Sequence, residues 1–242
     1  MKIESRPLAL LELFAEMKRP LSLTEVARGL GAPVSTCFNL LRSLEAVGFL
    51  YNVGGRRHVY PTRKIYDVAR VIVAHEPWTE RFGTQLERLR DLTGETAILG
   101  TWQGDQVVYL AVLEGPKTIR YTAKAGDLKP LHSSAIGKAL LTRLDPQRRG
   151  KLVDQLSLDA KTSMTITDRA ALLADLDRAA MDGVAITRGE NVADVMAIAM
   201  PLRLDSSEYA IAVAGPMPRM QDALNSHRDH LLQICAQIEG GK

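Results

Sequence analysis

The chain has 242 residues, 46% of them hydrophobic and 24% charged. That is enough for one large domain or two smaller ones with cores of their own, and the ordinary charge content excludes global disorder. The two cysteines, Cys37 and Cys235, exclude a disulfide scaffold, a zinc site built on paired cysteines and a CxxC redox motif. No run approaches the length of a membrane span, and the first residues lack the basic, apolar, small order of a secretory leader. The expectation is therefore a cytoplasmic protein with no membrane partner. The net charge of +3 is unevenly spread: residues 1–75 hold 11 Lys/Arg against 6 Asp/Glu, and the remainder 20 against 22. A basic first third ahead of a near-neutral remainder points to a nucleic-acid module joined to a domain for another partner, although a local excess of this size also arises by chance.

In chain order, Ser5–Met17 has helical spacing, with Leu8, Leu11 and Ala15 on one stripe and Pro20 as its stop. Ser22-Leu23-Thr24-Glu25 is a capping box that opens a short helix burying Val26, Ala27 and Leu30 and ending at Gly31. Pro33 opens a third helix, to Val47, with Cys37, Leu40, Leu41, Leu44 and Val47 inward. Its opposite face presents Ser35, Thr36, Phe38, Asn39, Arg42 and Ser43. Two helices joined by a tight glycine turn, the second with a polar and basic face, form a helix-turn-helix. Phe49–Val53 and Arg56–Tyr60 then read as strands around a two-residue Gly54-Gly55 hairpin. Four basic residues and no acidic one lie between Ala46 and Ile65, as the wing of a winged helix requires. Asn39 suits bidentate pairing with adenine, Arg42 suits guanine or phosphate, and Ser35 and Thr36 suit phosphate at a helix start. Arg56 and Arg57 suit phosphates or the minor groove. Phe38 either touches a thymine methyl or packs against the wing.

Arg63–Ala74 is helical again, with Ile65, Val68, Ala69 and Ile72 on one face, which either pairs with a second copy or packs on its own domain. Pro77 breaks it and Trp78–Leu92 resumes. The division expected is residues 1–62 for DNA, 63–77 as linker and 78–242 as a second domain. There, Thr96–Trp102 and Gln106–Leu113 form a hairpin, with a third strand at Thr118–Ala123. Helices follow at Ser133–Arg143, Asp145–Leu156 and Asp168–Met181, then strands at Val184–Thr187, Val195–Pro201 and Tyr209–Ala214, and a closing helix at Arg219–Ile238. Antiparallel strands with flanking helices make an α+β, sensor-like domain.

Enzyme chemistry is largely missing. Ala135-Ile136-Gly137-Lys138-Ala139 fails as a phosphate loop, with His132 in place of the first glycine and Ala139 in place of Ser/Thr. His132 beside Ser133 and Ser134 has no fixed acid in view. His227 and His230, spaced i,i+3 on a polar helix, read as a solvated pair rather than ligands, so neither metal nor cofactor is expected.

The residues resemble a known family. Thr24-Glu25-Val26-Ala27, Ser35-Thr36, Leu40-Leu41, Leu44-Glu45 and Gly48-Phe49-Leu50 are similar to the winged helix of IclR-type transcriptional regulators. The likeness continues through Gly126, Pro130 to Ala139, Ile166-Thr167-Asp168, Gly183-Val184-Ala185, Gly189-Glu190, Ile198 to Pro201 and Gly215-Pro216, and so covers nearly the whole chain. It implies a winged helix-turn-helix, a helical linker and a GAF-like effector-binding domain. It also implies operator DNA as partner, homodimers pairing into tetramers, and a small carboxylic acid that shifts the balance between arrangements of the dimer.

The effector positions carry over one by one. The family's Gly-Ala pair that touches glyoxylate or pyruvate falls on Ala135-Ile136, with Leu131, Ser133 and Ser134 completing the helix start. A ligand-contacting Asp falls on Thr187, a Cys on Ala197, and two Ser on Ala212 and Ala214. Polar groups have become methyls, and each hydrogen bond lost to a charged ligand is worth ~1.5–3 kcal/mol. A hydroxybenzoate-type acid, its ring on the alanines and its carboxylate at the Ser133–Ile136 amides, suits such a cup better than a keto acid. The other reading of the alanines is plain core. Trp102, Tyr109 and Tyr121 fall on strands that flank the cup. Two other functions stay open: an enzyme that turns over a small acid, and a DNA-binding protein whose second domain only oligomerises.

Overall fold

The structure is a computed structural model that describes residues 6–55, 57–76 and 79–240, with the backbone alone at Thr79 and Glu80. Ser5, Arg56, Pro77 and Trp78, each given a part in the expected elements, lie outside the described residues. The chain divides into two compact units, Met1–Glu76 and Pro77–Lys242.

In the first unit α1 (Arg6–Met17) buries Leu10 and Phe14 against α2 (Leu23–Leu30). The capping box is present in full: Ser22 Oγ accepts from the Glu25 amide at 3.3 Å, and the Ser22 amide donates to Glu25 Oε2 at 2.8 Å. A hydrogen bond from Arg19, together with those from Ser22, draws the Glu25 carboxyl down from 4.5 to about 2. Gly31 closes α2 at φ 58, a left-handed position where a side chain is costly. α3 (Val34–Ala46) then buries Cys37 and Leu41, with Leu40 and Leu44 half-buried. Val47, expected on the inner face, is 53% exposed, because the helix stops at Ala46 and Val47 already leaves it at φ −99, ψ 8.

Three antiparallel strands follow in the order β1 (Leu21–Ser22), β3 (His58–Pro61), β2 (Leu50–Val53). The turn is longer than a two-residue hairpin. The last pair is Val53 with His58, so Arg57 lies in the loop and not in a strand. β3 begins where it has partners on both sides: His58 and Val59 pair with Ser22 and Leu21 on one edge, and with Val53 and Asn52 on the other. α4 (Lys64–Ala74) ends the unit and buries none of its residues.

The second unit opens with α5 (Thr79–Thr93), followed by β4 (Thr96–Gln103), β5 (Gln106–Leu113) and β6 (Leu128–Pro130). Then come α6 (Ala135–Thr142), α7 (Pro146–Gln155), α8 (Arg169–Asp182), β7 (Ala185–Arg188), β8 (Val195–Leu204) and β9 (Ser207–Pro216). α9 (Met217–Asp222) and α10 (Leu224–Gly240) close it. The six strands form one antiparallel sheet in the order β6-β5-β4-β9-β8-β7. α5 and α10 cover one face, while α6, backed by α8 and α7, covers the other. This is the GAF-like α+β arrangement.

Two expectations need correction. Thr118–Ala123 is not a strand, for the edge beside β5 is taken by β6, which pairs Leu128–Pro130 with Gln106–Val108. Side chains hold the 118–123 backbone instead: Thr96 Oγ1 donates to the Tyr121 carbonyl at 2.5 Å, and Arg219 to the Ile119 carbonyl at 2.8 Å. The closing helix is interrupted at Ala223, at φ −102 and ψ 13, which separates α9 from α10.

Alternation on the central strands decides where the site forms. Met196, Ile198, Leu202, Ile211 and Val213 point to the α5/α10 face, and the opposite face of β8 and β9 is Ala197, Ala199, Ala210, Ala212 and Ala214. The register sets Ala197 beside Ala214 and Ala199 beside Ala212, a floor of methyl groups. Over such a floor α6 comes close. Its Gly137 has no room for a side chain, since a Cβ there would stand 2.4 Å from the Leu131 carbonyl oxygen.

Candidate functional site: a DNA-reading face and an effector cup

Each unit holds one candidate site. On α3, Ser35, Phe38, Asn39, Arg42 and Ser43 are exposed and Thr36 is half-buried. The Phe38 ring is 48% exposed. The Arg42 guanidinium lies over that ring, 5.9 Å from its centroid. A groove of about 400 Å³ separates helix from wing, lined by Phe38, Arg42 and Glu45 on one side and Asn52 and Arg57 on the other. Phe38 therefore faces the groove and is not packed away beneath the wing.

The wing is tied to the end of α3 by polar contacts that the sequence pattern does not reveal. Thr62 Oγ1 donates to the Gly48 carbonyl at 2.7 Å. Lys64 Nζ donates to the Val47 carbonyl at 2.7 Å and sits 4.8 Å from the centre of the Phe49 ring. This lysine, counted above among the wing's basic residues, thus neutralises the negative end of the recognition helix.

The cup of the second unit lies between α6 and the alanine floor. Ser134, Ala135 and Ile136 line its helix side, with Thr187, Ala197, Ala212 and Ala214 on the sheet. Leu131 and Ser133 are buried next to it but do not line it. Leu131 turns into the core, and Ser133 is fully buried with its Oγ unpaired among the described residues. Tyr109 and Tyr121 form one end of the cup, and burial pushes the Tyr109 hydroxyl well above its ordinary pKa with Tyr121 beside it. Trp102 packs half-buried against the core outside the cup. Ile98, Asn191, Val192 and Val195 complete the lining and were not foreseen. None of the lining residues is charged.

Ser134 is the cap of α6, accepting from the Gly137 amide at 3.2 Å and donating to the Pro130 carbonyl at 2.6 Å. The Lys138 amide goes to the Ser134 carbonyl. The amides of Ala135 and Ile136, the first two of the helix, have no acceptor within it, and both residues line the cup. The space open to the centre of a water molecule is about 30 Å³, so the cup is narrow.

Two buried charge clusters hold the walls. Burial would raise the Glu95 carboxyl, but hydrogen bonds from Arg219, at 2.8 and 2.9 Å, and from Lys117, at 2.9 Å, outweigh it and leave the group below its ordinary range. They fasten the segment that carries Tyr121. On α6, Lys138 is fully buried between Asp175 of α8, at 2.7 Å, and Glu190, at 2.5 Å. Neither cluster is marked in the sequence, because its members lie on elements far apart in the chain.

The histidines make no catalytic set. His132 Nε2 meets the Asp159 carbonyl at 3.1 Å, and burial lowers its pKa. His227 is not solvated as expected: it is 5% exposed between α10 and the sheet, where burial holds its pKa down. Among the described residues no group of His, Cys, Asp and Glu could hold a metal ion, and no helix is long and apolar enough to cross a membrane.

A helix-turn-helix with a wing, followed by a GAF-like domain with an uncharged cup, defines a DNA-binding transcriptional regulator. The comparisons agree. Residues 72–239 match the family profile described as "Bacterial transcriptional regulator IclR C-terminal", and residues 5–54 match the "IclR helix-turn-helix domain". The chain is 34% identical to the HTH-type transcriptional regulator BhcR of Paracoccus denitrificans, over 98% of this chain and 85% of that protein. The IclR structure of Thermotoga maritima superposes with a TM-score of 0.80 at 21% identity, covering 96% of this chain and 94% of that one. An IclR homologue of Microbacterium hydrocarbonoxydans in complex with 4-hydroxybenzoate does so with a TM-score of 0.76 at 21% identity, covering 97% and 96%. The chain belongs to the IclR family of transcriptional regulators.

Proposed function

We propose that the regulator reads an operator through Asn39 and Arg42 of α3, with Ser35, Thr36, Arg56 and Arg57 on phosphates and Phe38 against a thymine methyl. A small carboxylic acid in the cup controls this binding, and the chain turns over no substrate. The observation that carries the effector half is the pairing of free amides at Ala135 and Ile136 with a cup that has no charged wall. A carboxylate needs such amides when no Arg or Lys is at hand. The alanine floor then favours an aromatic ring, as in the hydroxybenzoates, and the Microbacterium homologue holding 4-hydroxybenzoate supports that choice. The protein acts as a homodimer, joined through α4, and as a dimer of dimers on DNA; it works in the cytoplasm.

One observation favours a second reading. A space as narrow as about 30 Å³ favours a compact two- or three-carbon acid over a benzoate ring. Thermal unfolding with 4-hydroxybenzoate, protocatechuate, glyoxylate and pyruvate in parallel separates the two. A ligand at a hundred times its Kd stabilises by about 2.7 kcal/mol. Shifts with the aromatic acids alone are expected. Shifts with glyoxylate or pyruvate alone would overturn the aromatic reading and leave the compact acid, and no shift with any of the four would count against both.

A further inference from the structure

Lys138, Asp175 and Glu190 form an ion-paired trio around a fully buried lysine. A lysine with no exposure, held by two carboxylates, loses its hydration, and such groupings commonly add nothing to stability over an apolar packing of the same volume. Asp175 has a further partner in Arg178 at 3.3 Å and is partly exposed. Glu190 is the more deeply buried carboxylate: it is 7% exposed, and burial raises its carboxyl pKa in spite of Lys138 and a backbone hydrogen bond at Arg188.

Its position shows what it holds. Glu190 lies between β7 and β8 in the loop that brings Asn191 and Val192 to the cup and leads into Val195, the first residue of β8, which also lines it. The backbone of the loop's first residues is already secured, with Thr162 Oγ1 on the Gly189 carbonyl and Thr165 Oγ1 on the Glu190 carbonyl, each at 2.6 Å. The Glu190 side chain adds something different, a link through Lys138 to α6, the helix whose first residues line the cup. We infer that Glu190 is a positioning residue for effector binding, fixing the 190–195 wall of the cup to the helix that offers the carboxylate-binding amides. This rests on the reading of the cup as the effector site.

The test uses the full-length chain and the variant Glu190→Gln, which keeps the volume and leaves Lys138 paired with Asp175. Three readouts are taken at neutral pH: global unfolding, amide hydrogen exchange of residues 189–194 in the protein alone, and binding of 4-hydroxybenzoate and of glyoxylate. Expected are an unfolding temperature kept or raised, exchange in 189–194 faster on the order of tenfold with β8 and β9 unchanged, and weaker binding of whichever probe the parent takes. Lys138→Met, which strands two carboxylates, is expected to lose stability as well as loop protection. Unchanged exchange in Glu190→Gln overturns the inference, and so does a uniform rise in exchange that follows a fall in unfolding temperature. If the parent binds neither probe, it is the effector reading that fails, while the exchange result still decides whether Glu190 holds the loop.

Discussion

Asn39 and Arg57 are both exposed, one on the recognition helix and one in the wing loop, and their chemistry separates their tasks. An amide that pairs with one base carries sequence information, whereas a guanidinium on phosphate carries affinity alone. Asn39→Ala should cost ~1–3 kcal/mol on the operator and relax the preference at one base pair, while Arg57→Ala should weaken operator and random DNA alike. Titrations of both variants against the two DNAs at one salt concentration check this, and equal losses on both for Asn39→Ala would remove its base-reading role. The exposed face of α3 was legible because helical spacing fixes which residues share a face, and Cys37 and Leu41 mark the buried side. Val47 was misread by one step of the same spacing, since where a helix stops depends on the turn that follows. Lys138 was illegible for another reason. Its carboxylate partners sit on α8 and in a loop, and a lysine in an apolar helix announces neither.

α6 binds to its surroundings more tightly than its eight residues suggest. Gly137 sets the turn before it against the helix itself, and the contacts an added methyl would meet are the Leu131 carbonyl oxygen at 2.4 Å and the Leu131 Cα at 2.5 Å. Backbone cannot step aside as a flexible side chain can. Gly137→Ala is therefore expected at the upper end of the ~1–3 kcal/mol typical of overpacking. Gly150, inside α7 with nothing within 4 Å, is the control. There alanine should stabilise by ~0.5–1 kcal/mol, the ordinary gain within a helix. Denaturant unfolding of the two variants compares them, and a Gly137→Ala protein as stable as its parent would mean that α6 does not rest on the Leu131 turn. At this scale the strands were readable from alternation wherever both neighbours exist. Thr118–Ala123 has the composition of a strand but no free edge to join, because β6 takes it, and pairing is a property of the sheet and not of the segment. Of the alanines on β8 and β9, Ala199 and Ala210 are core beneath α6, while Ala197, Ala212 and Ala214 line the cup.

At the scale of the molecule, the first unit carries a surface that its own fold leaves unused. α4 buries none of its residues, and it exposes Tyr66, Val68, Val71, Ile72 and Val73, each by at least 43%. Apolar side chains left open to water in such number favour a partner surface. For a DNA reader the natural partner is a second copy, because two winged helices held together meet two half-sites and the second contact becomes intramolecular. Val71→Asp together with Ile72→Asp is expected to leave a folded monomer. Operator affinity should then fall by ~10²–10⁴, the usual loss of avidity, while binding to an isolated half-site stays as it was. Sedimentation measures the first, and titrations on whole and half operators the second. A variant that remains dimeric with full affinity would assign α4 to packing within its own chain, the alternative its spacing left open, and would move the dimer contact elsewhere.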